Sequence, residues 1–505
     1  MKKKGLIFLT SALLLSAGLF AQQAEKETSA KLNIPGTTEL LLSYVENDSE
    51  LKNLTIAAKK SALSYKSAMI DMGFDLTLST GTIRLQLSED GSSLTASPSV
   101  KAKLPQASNL SVTGQTNISS DSDESKVNNT SLSLGIDIIS SSNLTNKITK
   151  LKAERSVVEA QRKIEKRAIT AEKEFYTELK QLLSSISSII SKKEKLYSDS
   201  IDFEAKKIQG YSKASSTYRQ AELKVLSDEQ EVESAMHSFI YNCVVFYKKC
   251  GFNIEINENI DLMTLVPSDI EAVDLVDFSD FDKELYSEIE SANWNYTINS
   301  MERKSKKNYS LAASAGYTFD NTTTKSDSVD AGLNGTIGGL TLGAGVSVPV
   351  NGKNSTAAGS GAVTGGAGSK ASNSPSFTLS ASLSPNTFRK NSITKEQNGL
   401  TEEQELLSIE SAETNYETKM VELQQKRDSL LWEKEAAEKN LAMYRDLEGD
   451  MASLYKQGYI SETEYLSSKN NLNSNIIKKI SNLIDLIIYN DDVISNFVSK
   501  SFEIK

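Results

Sequence analysis

Proline is scarce in this sequence, and its positions divide the chain. Only seven prolines occur in 505 residues, and none lies between residues 106 and 266 or after residue 385. Residues 136–209 and 400–448 contain no glycine either. Because proline and glycine interrupt helices, these two stretches are where the sequence allows helices to run furthest.

Cysteine is even rarer, with only Cys243 and Cys250 present. On a continuous helix their Cα atoms would lie about 10 Å apart, beyond the roughly 7 Å limit for a disulfide. We therefore expect two free thiols. A disulfide would require the helix to break near Gly251, and that alternative stays open at this stage.

Residues that commonly perform catalysis or bind metals are also few. His237 is the only histidine, and no His/Cys cluster has metal-site spacing. The glycine-rich segment at residues 365–368 lacks the lysine and the following helix of a phosphate-binding loop. Acidic residues outnumber basic ones by 66 to 56, for a formal net charge of -10, which argues against nucleic-acid binding. We expect no catalytic site, no cofactor and no metal.

No apolar run is long enough for a membrane-spanning helix. The longest follows Lys2, Lys3 and Lys4 and extends over residues 5–20, which is short of the ~20 residues that a span needs. Its basic start and the small residue Ala21 at its end are typical of a secretory signal peptide. We therefore expect residues 1–21 to be removed and the mature chain to be exported. If that chain enters a membrane, β-strands must do so.

Long amphipathic helices fit the proline-free stretches. A helix over residues 145–205 would be on the order of 90 Å long at 1.5 Å per residue. Apolar residues recur at coiled-coil spacing in three places and predict three seams. The seam residues are Phe175, Leu179, Leu182, Ile186 and Ile189; Ile409, Tyr416, Leu423, Leu430 and Ala437; and Ile476, Ile480, Leu483, Ile487 and Ile494.

Segments of alternating apolar and polar residues lie between the helices. They predict strands with one apolar face, in two regions that are longer than a single hairpin requires. The Gly/Ser/Ala-rich segment from Asn351 to Ser374 predicts a flexible surface loop within the second region. The clearest alternations are at residues 74–78, 83–87 and 132–138 in the first region and at residues 340–342 and 377–379 in the second.

The whole pattern occurs twice. Tyr197 and Asp199 recur as Tyr444 and Asp446, Gln209-Gly210-Tyr211 recurs as Gln457-Gly458-Tyr459, and Tyr218 recurs as Tyr465. The predicted fold class is α+β, with tandem helix–strands–helix repeats at residues 22–265 and 266–505. Gly210 and Gly458 fall where a long helix must end, at a position where glycine accepts a left-handed backbone.

This arrangement resembles the TolC-like outer-membrane efflux family, the outer-membrane factors. Besides the duplication, the segments Leu41–Leu51 (LLSYVENDSEL) and Tyr455–Leu472 (YKQGYISETEYLSSKNNL) carry the resemblance. It implies a homotrimer in which long coiled-coil helices form a periplasmic α-barrel. It also implies that strands of three chains share one β-barrel in the lipid of the outer membrane, so that the protein is an outer-membrane channel with a periplasmic extension.

The resemblance also implies functional residues near the two turns. In this family, carboxylates after the second turn narrow the periplasmic mouth of the tunnel. Alignment on Gly458 and Tyr465 puts Glu464 at one such position and Ser467 at the other, so this sequence keeps at most half of that feature. The alternative for Glu464 is a solvated acid at a helix start, favoured by the helix dipole. The turns at Gly210-Tyr211 and Gly458-Tyr459 are expected to dock a periplasmic adaptor.

The function implied by the resemblance is passive conduction. The chain would give exit to small toxic molecules or secreted polypeptides, in a tripartite efflux or type I secretion system with an adaptor (membrane fusion protein) and an inner-membrane RND or ABC transporter. The sequence has no nucleotide-binding motif, so energy would come from the partner. The alternative is an elongated coiled-coil envelope protein or adhesin, which explains the heptads but not two matched copies. A periplasmic adaptor, with one helical hairpin, does not explain the duplication either.

Overall fold

The computed structural model describes residues 35–502, apart from 82, 89–90, 106–107, 121–124, 140–141, 259, 307–308, 321–326, 339 and 352–374. The signal peptide and nearly all of the glycine-rich loop predicted from the sequence therefore lie outside the described residues. The chain forms two compact units. Unit 1 contains the described residues up to Ala57 together with Ala160–Ser287 and Thr414–Ser501, and unit 2 contains Ala58–Glu159, Glu288–Glu413 and the chain end from Phe502.

Helices precede and follow the strands in both halves of the chain, in the order predicted from the repeat. The helix predicted over residues 145–205 is confirmed and extends a few residues further at each end. Among the described residues, no helix is both long and apolar enough to cross a membrane. The helices are α1 (Thr37–Asn47), α2 (Ser49–Asp71), α3 (Ser142–Ile208), α4 (Ser216–Lys249), α5 (Ser287–Ser305), α6 (Pro385–Lys456) and α7 (Glu462–Ile494).

In the described residues of unit 2, ten antiparallel strands form one sheet. Eight follow the order β1-β4-β5-β6-β7-β8-β9-β10, so the pair β6–β7 joins the strands of the two halves. The hairpin β2–β3 lies off this path and pairs with β5. This hairpin is the additional strand pair that the length of the first strand region predicted. The strands are β1 (Asp75–Ser79), β2 (Ile83–Ser88), β3 (Gly91–Ala96), β4 (Ser99–Leu104), β5 (Leu110–Ser120), β6 (Ser125–Ile139), β7 (Tyr309–Asp320), β8 (Asp327–Ile337), β9 (Leu340–Asn351) and β10 (Ser376–Leu383).

One face of this sheet is lined by exposed apolar side chains. Successive residues of a strand point to opposite faces, so Leu132 and Leu134 share a face while Ser133 between them lies on the other. Leu379 at the end of the sheet is 87% exposed. The register makes the apolar rows continuous from strand to strand. One such row across β6–β10 consists of Ile136, Ala313, Leu333, Ala344 and Leu379.

The core of unit 1 lies between helices α1, α3, α4 and α7. All five residues of the first predicted seam, from Phe175 to Ile189, are buried. In the second predicted seam, Tyr416, Leu423, Leu430 and Ala437 are buried and Ile409 is half-buried. Burial of these heptad positions confirms that the long helices pack through the stripes predicted from the sequence.

The third predicted seam matches the buried side of α7 only in part. Of the residues predicted for α7, only Leu483 is fully buried, while Ile476, Ile480, Ile487 and Ile494 are half-buried. The deepest apolar positions are instead Ile477, Ile484, Leu486 and Val493. The isoleucine-rich sequence of α7 satisfies a heptad pattern in two neighbouring registers, and packing against other helices selects one of them.

Candidate functional site

The first candidate site is the turn that follows α3. Gly210 has a φ of +78°, a left-handed conformation that glycine accepts without strain. The Gly210 N–H donates to the Lys207 carbonyl at 3.1 Å, and the Tyr211 N–H donates to the Lys206 carbonyl at 3.3 Å. These two bonds form the Schellman motif, which satisfies carbonyls left open at the end of a helix. The helix-ending role predicted for Gly210 is confirmed.

The turn after α6 repeats this geometry. Gly458 has a φ of +76°, its N–H donates to the Tyr455 carbonyl at 3.0 Å, and the Tyr459 N–H donates to the Leu454 carbonyl at 3.0 Å. A Cβ atom added at Gly210 or Gly458 would meet no atom within 4 Å. Glycine is therefore required for its backbone conformation, not for space. Both flanking tyrosines, Tyr211 and Tyr459, are exposed.

The two turns differ in how the next helix starts. Ser215 caps α4, and its side chain accepts a hydrogen bond from the Tyr218 N–H. Ser461 caps α7 and accepts from the Glu464 N–H at 3.3 Å, while the Glu464 carboxylate accepts from the Ser461 N–H at 2.8 Å. This reciprocal pair is a capping box. The second turn is also shorter, because fewer residues separate its glycine from the capping serine.

Glu464 is exposed and its carboxylate is engaged within its own helix start. The Ser461 backbone N–H and hydroxyl both donate to this carboxylate and lower the pKa of Glu464 below its usual range. Ser467 follows three residues later and is half-buried. Within one chain, the helix-start interpretation therefore accounts for the position of Glu464. A gate, meaning a constriction of the tunnel at Glu464 and Ser467, would require three chains and stays a prediction.

The tyrosine that recurs after each turn packs on an aromatic ring of the preceding long helix. In the second half, Tyr465 stacks on Tyr455 with ring centroids 5.1 Å apart. In the first half, Tyr218 meets Phe203 edge to face, also at 5.1 Å. The sequence identified the repeated tyrosines but not their partners, because Phe203 and Tyr455 do not occupy equivalent positions of the repeat. These contacts fix each returning helix against the long helix.

Helices α3 and α7 are also linked next to the turns. The Tyr197 hydroxyl bonds to the Glu462 carboxylate, and this bond is the main reason why the pKa of Tyr197 is raised. Further along the same helices, the Asn470 amide donates to Glu194 at 3.2 Å. These polar contacts tie the start of α7, directly after the second turn, to the long helix that leads to the first turn.

The described part of the chain contains no group of three or more His, Cys, Asp or Glu residues with the geometry of a metal site. Cys243 and Cys250 are buried free thiols, and burial raises the pKa of each to about 12. Gly251 does end the helix, with a φ of +81°, yet the cysteines remain unpaired. The expectation of free thiols is confirmed, and neither thiol is a thiolate at neutral pH.

Two family models match consecutive parts of the chain, which together span residues 40–500. Residues 40–270 match the TP096X N-terminal domain, and residues 271–500 match the TP096X C-terminal domain. The border between these matches falls in the segment that connects α4 to α5. No curated protein sequence matches the chain.

Solved structures of membrane proteins, among them outer-membrane channels, match nearly the full length of the chain. A membrane protein from Pseudomonas aeruginosa has 12% identity and a TM-score of 0.49, covering 95% of this chain and 96% of the other. The open state of the Neisseria gonorrhoeae MtrE outer membrane channel has 11% identity and a TM-score of 0.44, covering 94% and 98%. The Campylobacter jejuni CmeC outer membrane channel has 13% identity and a TM-score of 0.43, covering 96% and 95%. The chain thus resembles outer-membrane factor channels, as the sequence predicted, and at this identity the resemblance carries no argument about activity.

Proposed function

We propose that this protein is a channel of the outer membrane that gives exit to solutes delivered from the periplasm. The sheet of unit 2 lies in the lipid, and the long helices extend into the periplasm. Two consecutive copies, residues 22–265 and 266–505, supply the strands and helices.

The apolar face of the sheet is the observation that carries this proposal. Soluble proteins rarely expose a large continuous apolar patch, whereas strands in an outer membrane alternate between lipid-facing apolar residues and polar residues on the other side. The alternation of Leu132, Ser133 and Leu134, repeated across the sheet in register, has this pattern. Leu379, with 87% of its surface exposed, would otherwise be in contact with water.

A homotrimer explains the two edges of the sheet. In the described strands, β1 and β10 stand at the ends of the path and each pairs with a single neighbour. Lipid offers no hydrogen-bond partner to an open strand edge. Pairing between chains, with the strands closing into one shared β-barrel, removes these edges. The helices of the same three chains then enclose a common tunnel.

The partners follow from the lack of an energy source in the chain. We assign the exposed turns at Gly210-Tyr211 and Gly458-Tyr459 to docking of a periplasmic adaptor, which connects the tunnel to an inner-membrane RND or ABC transporter. Small toxic molecules or secreted polypeptides pass through. The support for this assignment is that the two turns share one backbone geometry in both halves of the chain.

The lipid contact is tested with two neighbouring substitutions on β6. Leu134→Arg introduces a charge on the apolar face, and such a change costs roughly 2–4 kcal/mol near the centre of a membrane. Ser133→Arg introduces the same charge on the other face and serves as the matched control. We expect Leu134→Arg to reduce recovery in the outer-membrane fraction and Ser133→Arg to leave it unchanged. Equal behaviour of both variants would contradict the assignment of faces.

Conduction is tested in a planar bilayer with purified protein that begins at or near Gln22. We expect ion-conducting pores and, in mild detergent, a mass corresponding to three chains. A coiled-coil spacer or adhesin would give neither result. A stable monomer without conductance, recovered in the soluble periplasm, would overturn the proposed function.

A further inference from the structure

Two carboxyl groups meet between α3 and α4, close to the first turn. Asp199 on α3 is 9% exposed and Asp228 on α4 is 3% exposed. Each has one oxygen in an ion pair across the helices: Lys224 Nζ donates to Asp199 Oδ1 and Lys195 Nζ donates to Asp228 Oδ1, both at 2.6 Å. The two charges of each sign balance within this group of four residues.

The other oxygen of each carboxyl group has no donor. Asp199 Oδ2 and Asp228 Oδ2 are both buried and receive no hydrogen bond from a neighbouring donor. The Asp199 side chain is close enough to Asp228 to influence its pKa. Two acceptors that face each other without a proton repel, and an unsatisfied buried acceptor is costly. A single proton placed between the two carboxyl groups removes both difficulties.

We propose that Asp199 and Asp228 are a proton-binding pair that takes up one proton from solvent on mild acidification and then holds α3 and α4 more tightly together beside the first turn. The proton forms an O–H bond on one carboxyl group and a hydrogen bond to the other, and no covalent bond breaks. This inference concerns the helix pair itself and holds independently of the proposed function.

The charged groups around the pair decide which acid acts as acceptor. Lys195 on α3 and Lys224 and Glu231 on α4 face it. The ammonium of Lys195 holds the pKa of Asp228 below its usual range, so Asp228 remains ionised and accepts. The two ammonium groups would also repel a bound metal cation, so these acids suit a proton better than a metal ion.

The second half of the chain does not have this pair. Asp199 corresponds to Asp446 in the repeat, and Asp446 is exposed on α6. The positions that match Lys195, Lys224 and Asp228 at the same offset are Ala442, Asn471 and Asn475. The proton-binding pair is therefore a feature of the first helix pair alone, and the second supplies a matched control within the same molecule.

The direction of the pH effect follows from linkage. Separated helices expose both carboxyl groups to water, whereas in the packed pair two buried oxygens lack a donor and one shared proton satisfies both. The packed arrangement is therefore favoured as the pH falls through the titration of the pair and loses this advantage as the pH rises.

Hydrogen exchange on the full-length protein in detergent tests the proposal. Peptides covering residues 205–222 are compared at about pH 7 and at about pH 4.5, after correction for intrinsic exchange rates. We expect about fivefold greater protection at the lower pH, the effect of one hydrogen bond. Asp199→Asn carries a permanent N–H donor, so we expect it to be protected at both pH values.

Asp446→Asn is the control and should keep the pH dependence of the parent protein in these peptides. Asp228→Asn replaces the other member of the pair and should remove the dependence if Asp199→Asn does not fold. No change of protection with pH in the parent protein would overturn the proposal. The same applies to a pH dependence that survives in both asparagine variants, or to protection that follows added Mg²⁺ at constant pH.

Discussion

Arg155 on α3 and Glu290 on α5 form a two-point ion pair inside unit 2. Arg155 Nη2 donates to Glu290 Oε2 at 2.7 Å, Nη1 donates to Oε1, and the residues are only 4% and 6% exposed. The guanidinium lies 5.2 Å from the Trp294 ring and 5.8 Å from the Phe502 ring. The Phe502 N–H also donates to Glu290 at 3.2 Å. The end of the chain thus helps to shield this pair from water.

Glu290→Ala should therefore destabilise the protein markedly, because it removes the buried counter-ion of Arg155 and leaves only the exposed carboxylate of Glu159, which lies 2.8 Å from Arg155 Nε. The expected loss is about 3 kcal/mol in the free energy of unfolding, measured by thermal or denaturant unfolding in detergent. Lys152→Ala removes the exposed ion pair with Glu302 and should cost less than about 1 kcal/mol. Similar losses for the two variants would show that burial of Arg155 and Glu290 has no energetic consequence.

Neighbouring acids on α7 should respond to pH in opposite directions. Burial, with Glu172 and Asp492 nearby, raises the pKa of Asp491 to about 8. Its contribution to stability is therefore present below an ordinary aspartate pKa of about 4 and is lost as the pH rises through about 8. Asp491→Asn, which stays neutral, should raise the melting temperature at alkaline pH and flatten its decline between acid and alkaline conditions.

Asp492 is the matched control for Asp491. Burial alone would raise its pKa, but hydrogen bonds from Lys173 and Lys426 outweigh this and the pKa is lowered. Its contribution is present above the ordinary pKa and is lost as the pH falls through the lowered value. Asp492→Asn should therefore lower the melting temperature at neutral pH. A loss of stability in both variants at alkaline pH would contradict the opposite roles assigned here.

Gly458→Val should strain the turn that we assign to adaptor docking. The left-handed backbone costs a β-branched residue roughly 1–2 kcal/mol, and the turn should loosen, become more sensitive to proteases and cross-link less to the adaptor. Gly449→Ala, inside α6 with equally open space around it, should instead stabilise its helix by up to about 1 kcal/mol. Unchanged adaptor cross-linking in Gly458→Val would argue against docking at this turn.

Glu464→Gln should lower the preference of the tunnel for cations without disturbing assembly. Glutamine also completes a capping box, so the variant removes the charge but retains the start of α7. Three such carboxylates at a constriction attract cations, as acidic rings do in cation channels. Reversal potential across a salt gradient measures the effect, and Glu435→Gln, an exposed acid paired with Lys439, is the control. Equal reversal potentials would favour the helix-start role alone.

Patterns that depend on the local chain were predictable from the sequence. The absence of proline and glycine indicated where α3 and α6 extend. Gly210 and Gly458 predicted where these helices end, because a left-handed backbone conformation is common directly after a helix. Residues 41–51 and 455–472 carry the resemblance to the TolC-like family, and the solved structures similar to the chain include outer-membrane channels. The borders of the repeats, the docking turns and the gate stay predictions.

Other features depend on contacts between distant segments, which a single sequence does not specify. The buried side of α7 was predicted only in part, because apolar residues lie next to the predicted seam on both sides and the neighbouring helices decide which of them are buried. The ion pair of Arg155 with Glu290 joins residues far apart in the chain, and nothing around either residue marks it. For the hairpin β2–β3, the sequence showed only that the first strand region is longer than one hairpin requires. It did not show which strands pair, because strand pairing depends on contacts between distant segments.

The two edge strands of the sheet affect how easily a newly synthesised chain aggregates. β1 and β10 stand at the two ends of the strand order, so each has one side without a neighbouring strand on this path. They also carry exposed apolar side chains, namely Leu76, Leu78, Phe377 and Leu379. Such edges invite indiscriminate pairing and aggregation. In the proposed trimer, a freshly secreted subunit would be vulnerable until it meets its partners, so periplasmic chaperones and rapid assembly, more than the stability of the isolated subunit, should limit its yield.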